Sequence, residues 1–444
     1  MTDHVPQAAD DRYIVVSADS HVGPLMEEFA PYCPSAHRDA FDDQLRAVKA
    51  ARATEGGFAA IAKRAFGYDL DPRVIAAADR SNAVVGGADL VARHADMDAD
   101  GVAADVFFHG LQNGEPMPLA GEQLFGASGA DAADAQAAGC RMYNRWAADF
   151  VADRPERHAA LAYVSLLDID RAVEEVEWAR AAGLRGVNFP APRRDRPDYT
   201  DPRYEPFFAA CAAYEMPLTT HAGSGDRWQY PDGVCGMAFQ KIEGPFVARR
   251  GLWQLIFAGV FERHPTLKLV LTEIFGVWVP EILRDMDFAY LDNVNPLIRE
   301  RIPRLPSDYW ATNCFVGASF MSADEAALYP DRGTANLMWG SDYPHIEGTH
   351  PHTRGALQDT FAGLPPDHVA PMAGLTAARV YGFDLDALAL VAARIGPTRD
   401  ELFRGPTERP GDDYVGLGFR RSSAWPADTV RSQPASAGSQ IGAH

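Results

Sequence analysis

The sequence predicts an α/β fold, a (β/α)8 TIM barrel with a long insertion after the first strand and a C-terminal arm. Eight short apolar runs with β-branched residues recur along the chain, and each is followed by an alanine-rich stretch that can form a helix. A parallel sheet with crossover helices requires this alternation. The length of 444 residues is within the range of one such barrel carrying insertions.

The apolar runs divide the chain into the units of the barrel. The candidate strands are Tyr13–Ala18, Val102–Phe108, Ala160–Leu166, Leu184–Phe189, Pro217–Thr220, Leu267–Leu271, Cys314–Ala318 and Asn336–Trp339. Helices are predicted between them, for example at Ala172–Ala182, which ends before a glycine, and at Ala248–Arg263, which ends before His-Pro. Eight units of this kind close a barrel.

Two segments depart from the repeat. The first is an insertion at about residues 27–97, which is too long for one crossover and lies within a single domain expected over residues 1–405. Because the loops after the strands build the active-site face of a barrel, we expect this insertion to cover the site. Residues 406–444 are rich in Gly, Pro and Ser, and this composition predicts a partly disordered arm.

Composition excludes several classes of partner. The net charge of -20 argues against nucleic acid or an anionic membrane surface, because both bind basic faces. Five cysteines without C-x-x-C spacing predict neither a disulfide framework nor a cysteine zinc site. The N-terminus lacks the pattern of a signal peptide, and no apolar stretch reaches the ~18 residues that suggest a membrane span. These features favour a cytoplasmic protein.

Acidic and imidazole groups cluster where strands one, five and eight end. Asp19 and His21 are two residues apart, so their side chains point the same way from a strand. His221 ends the fifth strand and Asp342 lies at the lip of the eighth. Alone, each has an ordinary explanation, as a structural hydrogen-bonding histidine or as an aspartate that forms a turn. Together, at the face where barrels place their chemistry, they predict a metal centre.

Six segments between about Tyr13 and Leu385 carry a family resemblance. They are VSADSHV, MDADGVAADVFF from Met97, GLRGVNFP from Gly183, HPTLKLVLTE from His264, WGSDYPH from Trp339 and AARVYGFD from Ala377. The chain resembles the amidohydrolase superfamily, in the branch that includes aminocarboxymuconate-semialdehyde and γ-resorcylate decarboxylases. The resemblance implies a homo-oligomer and a metal held by Asp19, His21, His221 and Asp342. It also implies that Asp342 can accept or deliver a proton.

The chain departs from that family at three positions. Hydrolytic members commonly carry His-x-His on the first strand, where this chain has Asp19-Ser20-His21. Asn188 stands at the fourth strand, where binuclear members carry an anionic bridge. Decarboxylases usually place a histidine at the end of the sixth strand, and here the residue is Glu273. With His345, three residues beyond Asp342, the mouth has enough ligands for two metals.

Two hypotheses follow. The first is a dinuclear iron monooxygenase, which hydroxylates an apolar, terpenoid-like acid or coenzyme A thioester with electrons from an external donor. The resemblance permits it, because a small oxygenase branch exists on this fold. Its two Fe ions would be held by Asp19, His21, His221, Glu273, Asp342 and His345, with Asp342 and Glu273 catalytic. The alternative is one Zn or Mn in a hydrolase or non-oxidative decarboxylase of a small carboxylic acid. In that case Glu273 only hydrogen-bonds His221 or a water, and His345 orients the loop.

Candidate substrate contacts lie beside the predicted mouth. Arg193, Arg194 and Arg196 follow the fourth strand, and their guanidinium groups match carboxylate or phosphate oxygens. A solvated loop paired with nearby aspartates is the other interpretation. His109 after the second strand and Trp228 near the fifth are further candidates for binding a small molecule. No strand is followed by a nucleotide-binding glycine pattern.

Overall fold

The structure, a computed structural model, is a closed barrel of eight parallel strands that pair in chain order. It describes residues 12–54, 59–60, 63, 67, 69–113, 115–119, 130–194, 196–223, 233–330, 334–404, 410–411 and 413–420. The strands are β1 Val16–Val22, β2 Ala104–His109, β3 His158–Tyr163, β4 Gly186–Asn188, β5 Leu218–His221, β6 Leu269–Thr272, β7 Cys314–Ser319 and β8 Leu337–Gly340. Each overlaps one candidate strand of the sequence analysis, so the predicted fold class is confirmed.

The barrel closes between β1 and β8. The amide of Asp342 donates to the carbonyl of Asp19 over 2.9 Å, and the amide of His21 donates to the carbonyl of Tyr343 over 2.6 Å. These bonds lie just beyond the end of β8, at the face where the carboxyl ends of the strands meet. They therefore fix the predicted ligands of the first and eighth strands next to each other.

Helices surround the barrel. They are α1 Arg38–Thr54, α2 Pro72–Asn82, α3 Leu90–Asp100, α4 Ala130–Val151, α5 Ile169–Ala181, α6 Glu205–Ala213, α7 Val234–Phe257, α8 Val260–Arg263, α9 Val279–Leu291, α10 Ile298–Arg301, α11 Pro306–Asn313, α12 Ala323–Ala326, α13 Thr353–Phe361, α14 Pro366–Ala370, α15 Thr376–Val380, α16 Leu385–Ile395 and α17 Arg399–Phe403. Short 3₁₀ or π segments are Met26–Tyr32, Ser35–His37, Val85–Gly87, Pro202–Tyr204, Thr334–Asn336 and Pro371–Leu375. The prediction that one helix starts at Ala248 was wrong, because α7 continues through Pro245 and begins at Val234. Among the described helices, none is both long and apolar enough to cross a bilayer.

The segment between β1 and β2 packs over the carboxyl ends of β1 and β8. Its helix α2 contacts the loop after β8, where the Ser81 hydroxyl donates to the carbonyl of Pro344. Its helix α3 contacts the same loop, where the Tyr343 hydroxyl donates to Asp96 over 2.6 Å. The inserted helices therefore brace the loop that carries Asp342.

Candidate metal centre

Strand β1 carries a bulge at the position of the first predicted ligand. Ser17 pairs with Asp105 of β2, but Ser20 pairs with Phe107, so β1 contains one extra residue between these pairs. Asp19 lies in this bulge with no solvent exposure, and the Ser319 hydroxyl of β7 donates to its Oδ2. Its other oxygen, Oδ1, faces the imidazoles of His21 and His221.

The four ligands that the sequence predicted lie close together. The Nε2 atom of His21 is 3.1 Å from Asp342 Oδ1 and 3.6 Å from Asp19 Oδ1. The Nε2 atom of His221 is 3.4 Å from the same Asp19 oxygen. Asp19 and Asp342 are completely buried, and His21 is 3% exposed. These side chains come from β1, β5 and the loop after β8, so the barrel topology brings them together.

Hydrogen bonds aim two of the imidazoles at carboxylates. His221 Nδ1 is 2.8 Å from the carbonyl of Ala222 and must donate to it, so the lone pair on Nε2 faces Asp19. His345 Nε2 is 3.1 Å from the carbonyl of Gly110, so the lone pair on Nδ1 faces Asp342 Oδ1 at 3.1 Å. In each case two acceptors meet. A cation between them resolves the conflict, and a histidine held through its other nitrogen is the usual arrangement at a metal.

Buried polar atoms support the same conclusion. Within the described part of the chain, both oxygens of Asp342, both ring nitrogens of His21 and Asp19 Oδ1 make no hydrogen bond. Burial, followed by the neighbouring imidazoles, holds the pKa of His21 well below its ordinary value, so this ring is neutral and can offer a lone pair. Unpaired polar atoms are costly to bury. The mixed carboxylate and imidazole set therefore fits a divalent ion such as manganese, zinc or iron.

Protons can take the place of such a cation. Burial alone disfavours the charged form of His221, but the carboxylates of Asp19 and Glu273 outweigh it and raise its pKa to about 9. The same balance, with Asp342 as the main carboxylate, raises the pKa of His345 to about 10. Both histidines thus respond to a surplus of negative charge at the mouth.

Further donors extend the centre on one side. Glu273 Oε2 is 3.5 Å from His221 Nδ1, and the ring of His345 stacks on that of His21 at 3.8 Å. Two further groups have ligand atoms within 4.8 Å of one another, His21 with Asp342 and His345, and Glu273 with Asp342 and Glu347. The structure thus brings Glu273 and His345 to the predicted site, and their ligation stays a prediction. Glu347 was not predicted as a site residue, although it lies only two residues beyond His345.

Two acidic side chains of the site stand on unusual backbone. Glu273, directly after β6, has a φ of 58°, and Asp342 has a φ of 56°. This left-handed region costs a non-glycine residue about 1–3 kcal/mol and persists only where its surroundings enforce it. Gly340 permits the close approach of β8 to β1, because a Cβ added there would lie 2.9 Å from the Cβ of Asp19. Backbone strain and tight packing thus place the acidic groups at the mouth.

Burial also raises the pKa of two carboxyl groups. It is the main cause for Asp342, whose pKa reaches about 7 although His345 acts in the opposite direction. For Glu273 burial again dominates, His221 opposes it, and the pKa is held well above its ordinary value. At neutral pH the site can therefore hold a proton on a carboxyl group and exchange it with a neighbour.

A buried arginine supports β1 from behind. Arg93 of α3 is completely buried, and its guanidinium donates to the carbonyl of His21 over 2.9 Å and to the Ser20 hydroxyl over 2.7 Å. It also pairs with Asp105 of β2 at 2.6 Å, and Asp105 accepts from His158 Nδ1 at 2.7 Å. This support was not predicted, because no local sequence pattern connects Arg93 to the site.

The predicted substrate contacts lie in different environments. His109 ends β2, and burial lowers its pKa to about 4, so its ring is neutral. Arg193 and Arg196 are half-buried near Tyr199, where both influence the tyrosine pKa, and Arg194 is exposed. Trp228 lies outside the described residues. A role in substrate binding stays a prediction for all five.

Comparison with solved structures finds the same barrel in several enzymes. A 5-carboxyvanillate decarboxylase from Sphingomonas paucimobilis is 20% identical, with a TM-score of 0.56 over 84% of this chain and 100% of that one. An amidohydrolase from Mycobacterium avium subsp. paratuberculosis is 18% identical, with a TM-score of 0.60 over 83% and 99%. A dihydroxybenzoic acid decarboxylase from Polaromonas sp., with bound manganese and the inhibitor 2-nitroresorcinol, is 15% identical, with a TM-score of 0.53 over 83% and 97%.

Sequence comparison identifies the family. None of the curated proteins matches the chain. The sequence model of the amidohydrolase family matches residues 117–383, which is more than half of the chain and contains β3 to β8. The same segment carries His221 and Asp342. The chain belongs to the amidohydrolase family.

Proposed function

We propose that the protein is a divalent-metal-dependent, non-oxidative decarboxylase of a small carboxylic acid. The observation that carries the proposal is the position of Glu273, a partly buried carboxyl group that lies 3.5 Å from His221, next to the group of metal ligands. Burial, opposed by His221, holds the pKa of Glu273 well above its ordinary value, so this group can carry a proton, and a non-oxidative decarboxylation requires a proton donor. The sequence hypothesis of one Zn or Mn agrees with this proposal.

Four residues would hold the ion, namely Asp19, His21, His221 and Asp342. When bound, the ion would polarise the substrate carboxylate or a water molecule. The Ala222 carbonyl keeps Nε2 of His221 directed at the ligand group, and Arg93 fixes the main chain at His21. The chain thus orients these two histidines through its own hydrogen bonds.

The remaining chemistry is a proton transfer. In R–COO⁻ + H⁺ → R–H + CO₂, the C–C bond breaks and its electron pair takes the proton. Glu273 is positioned to deliver this proton, because it follows β6 at the mouth and lies 3.5 Å from His221. Asp342, beside His345, can exchange a proton in the same way. Arg193, Arg194, Arg196, His109 and Trp228 are proposed to bind the small-molecule substrate, with the guanidinium groups facing an anionic substituent.

The named neighbours support a decarboxylase. Two of them are decarboxylases of 5-carboxyvanillate and of dihydroxybenzoic acid, and the second holds manganese with an aromatic inhibitor. The mouth of this barrel carries carboxylate and imidazole groups, which can bind manganese. Aromatic acids with a hydroxyl group next to the carboxylate are therefore the first substrates to test.

The test is an anaerobic assay of the protein loaded with Mn²⁺ or Zn²⁺. Hydroxybenzoic acids or 5-carboxyvanillate should release CO₂ together with an equal amount of the decarboxylated product. The active protein should contain about one metal ion per chain. Glu273→Gln should keep the metal and lose at least about a hundredfold in kcat, as expected for a general acid. His221→Ala, which removes a ligand, should lose both metal and activity. Release of CO₂ that is unaffected in Glu273→Gln would overturn the role of Glu273.

One observation favours a second candidate, the dinuclear iron monooxygenase. Glu273, Glu347 and His345 extend the donor set beyond the first four ligands, so two ions have donors within reach. This enzyme would need O₂ and an external electron donor. Two irons per chain, with O₂ consumed during hydroxylation and no CO₂ released without O₂, would replace the decarboxylase proposal.

A further inference from the structure

Part of the C-terminal arm crosses the active-site face. Residues 413–420, called the strap below, pack on two loops that carry residues of the candidate site. The amide of Leu417 donates to the carbonyl of Glu347 over 2.7 Å, and the Tyr414 hydroxyl donates to the carbonyl of Gly348 over 2.8 Å. The strap is therefore joined by two hydrogen bonds to main-chain carbonyls of the loop after β8.

Glycines bring the strap against the backbone of that loop. A Cβ added at Gly416 would lie 2.6 Å from the carbonyl oxygen of Gly348. A Cβ at Gly348 would lie 2.8 Å from the carbonyl oxygen of Asp342, and one at Gly418 would lie 2.8 Å from a methyl group of Thr349. Contacts this close leave no room for side chains. The strap thus packs directly on the loop after β8, and Gly348 of that loop packs on the backbone of Asp342.

At its end the strap reaches the loop after β6. Arg420 pairs with Glu325, whose side chain is 1% exposed. The same carboxylate accepts from the amide of Gly276 over 2.7 Å and from the amide of Ser322 over 2.9 Å. A buried carboxylate is stable only with a cation or several donors. Arg420 thus supplies the charge that lets Glu325 hold Gly276, three residues beyond Glu273.

The guanidinium of Arg420 also covers two aromatic rings. It lies 4.1 Å from the ring centre of Phe275 and 5.4 Å from that of Phe320, and the two rings meet edge to face at 6.0 Å. Both residues have left-handed backbone, with φ of 34° and 42°, as has Glu273. Three strained residues at the ends of two strands need an external constraint to persist.

We propose that Arg420 is a positioning residue that holds the loop carrying Glu273 in its strained conformation, and that the strap belongs to the active-site structure. Arg420 does not touch the ligand group. It acts through Glu325, Phe275 and Phe320, which surround the loop after β6. The consequence for turnover rests on the proposed function of Glu273, whereas the constraint on the loop does not.

Amide hydrogen exchange of the full-length, Mn²⁺-loaded protein tests the constraint without turnover. Arg420→Ala should speed exchange in peptides covering residues 273–278 by at least about tenfold, because the local opening free energy falls. Arg420→Lys keeps the charge next to Glu325 and should recover part of the protection. Arg399→Ala, at an exposed arginine of α17, is the matched control and should leave these peptides unchanged.

A second variant distinguishes a local effect of Arg420→Ala from general unfolding of the protein. Tyr414→Phe removes one hydroxyl and should speed exchange at residues 347–349 while leaving 273–278 protected. Unchanged exchange at 273–278 in Arg420→Ala would overturn the proposal, and so would equal loss of protection over the whole chain in both Arg420 variants. If Glu273 acts as proposed, Arg420→Ala should also lower kcat at least about tenfold with little change in KM. Faster exchange at residues 273–278 without a change in kcat would refute the catalytic role of Glu273, but it would still support the constraint that Arg420 places on this loop.

Discussion

Replacing the buried arginine behind β1 should weaken both the fold and the metal centre. Arg93 donates to Asp105 at 2.6 and 2.9 Å, to Ser20 at 2.7 Å, and to the carbonyls of His21 at 2.9 Å and Gly86 at 3.3 Å. Arg93→Met keeps much of the volume and removes every donor. It leaves the Asp105 carboxylate, which is 2% exposed, with a histidine but without its arginine.

The size of the loss follows from these contacts. Removing one partner of a buried ion pair costs about 3–5 kcal/mol, which is a large part of the roughly 5–15 kcal/mol that stabilises a typical domain. Urea unfolding followed by tryptophan fluorescence should therefore show a clearly lower midpoint. The carbonyl of His21 also loses the hydrogen bond from Arg93, which fixes the main chain of this ligand. The Kd for Mn²⁺ should therefore rise about 10–100-fold in a calorimetric titration.

Two controls make the result decisive. Arg46→Ala breaks an ion pair between side chains that are 71% and 70% exposed, and it should change stability by less than about 0.5 kcal/mol. Arg93→Met/Asp105→Asn removes both charges and should recover part of the loss. An Arg93→Met protein with the wild-type midpoint and the wild-type Mn²⁺ affinity would refute the reasoning.

Three further predictions concern charge, packing and the metal. Burial raises the pKa of Asp105, but Arg93 and His158 outweigh burial and hold this pKa well below its ordinary value. The ionised Asp105 therefore stabilises the folded state above the unfolded pKa of about 3.9, and this stabilisation is lost as the pH falls below that value. The urea midpoint of Asp105→Asn should therefore be lower than wild type at pH 7, and the difference should shrink below about pH 4. Gly340→Ala places a Cβ 2.9 Å from that of Asp19 and should reduce Mn²⁺ affinity at least about tenfold, while Gly363→Ala, where an added Cβ meets open space, should not. Chelation of an ion present at 100 times its Kd should cost about 2.7 kcal/mol and lower the thermal transition by about 3–5 °C, and an unchanged transition would contradict an ion bound by the native fold.

The sequence was sufficient for the parts of the site that the barrel topology places. Asp19, His21 and His221 lie on strands, and parallel strands in a closed barrel must bring their carboxyl ends together, so spacing alone predicted their meeting. Glu347 depends on how a loop folds back over the mouth, and no periodicity encodes that. Arg93 reaches His21 across 72 residues of sequence, through the packing of an insertion.

Glycine-rich composition was ambiguous for a physical reason. Gly416 and Gly418 are typical of a flexible linker, and this predicted a partly disordered arm from residue 406. In the strap the same residues allow backbone to approach backbone, with 2.6 Å between a Cβ added at Gly416 and the carbonyl oxygen of Gly348. A missing side chain serves flexibility and close packing equally well. Only the partner surface distinguishes them, and a single sequence does not show it.

The number of metal ions and the number of protons at the mouth are linked by charge. Asp19, Asp342, Glu273 and Glu347 supply four negative charges when ionised, and all four lie in the three overlapping donor groups. One divalent ion leaves two charges uncompensated, which favours protons on groups such as Glu273 and His345, whose pKa values are raised. Two ions would balance the carboxylates and displace those protons. A decarboxylase needs the retained proton, whereas an oxygenase with an external electron donor does not need Glu273 as an acid. Counting the protons released when each ion binds would therefore distinguish the two reactions before any substrate is known.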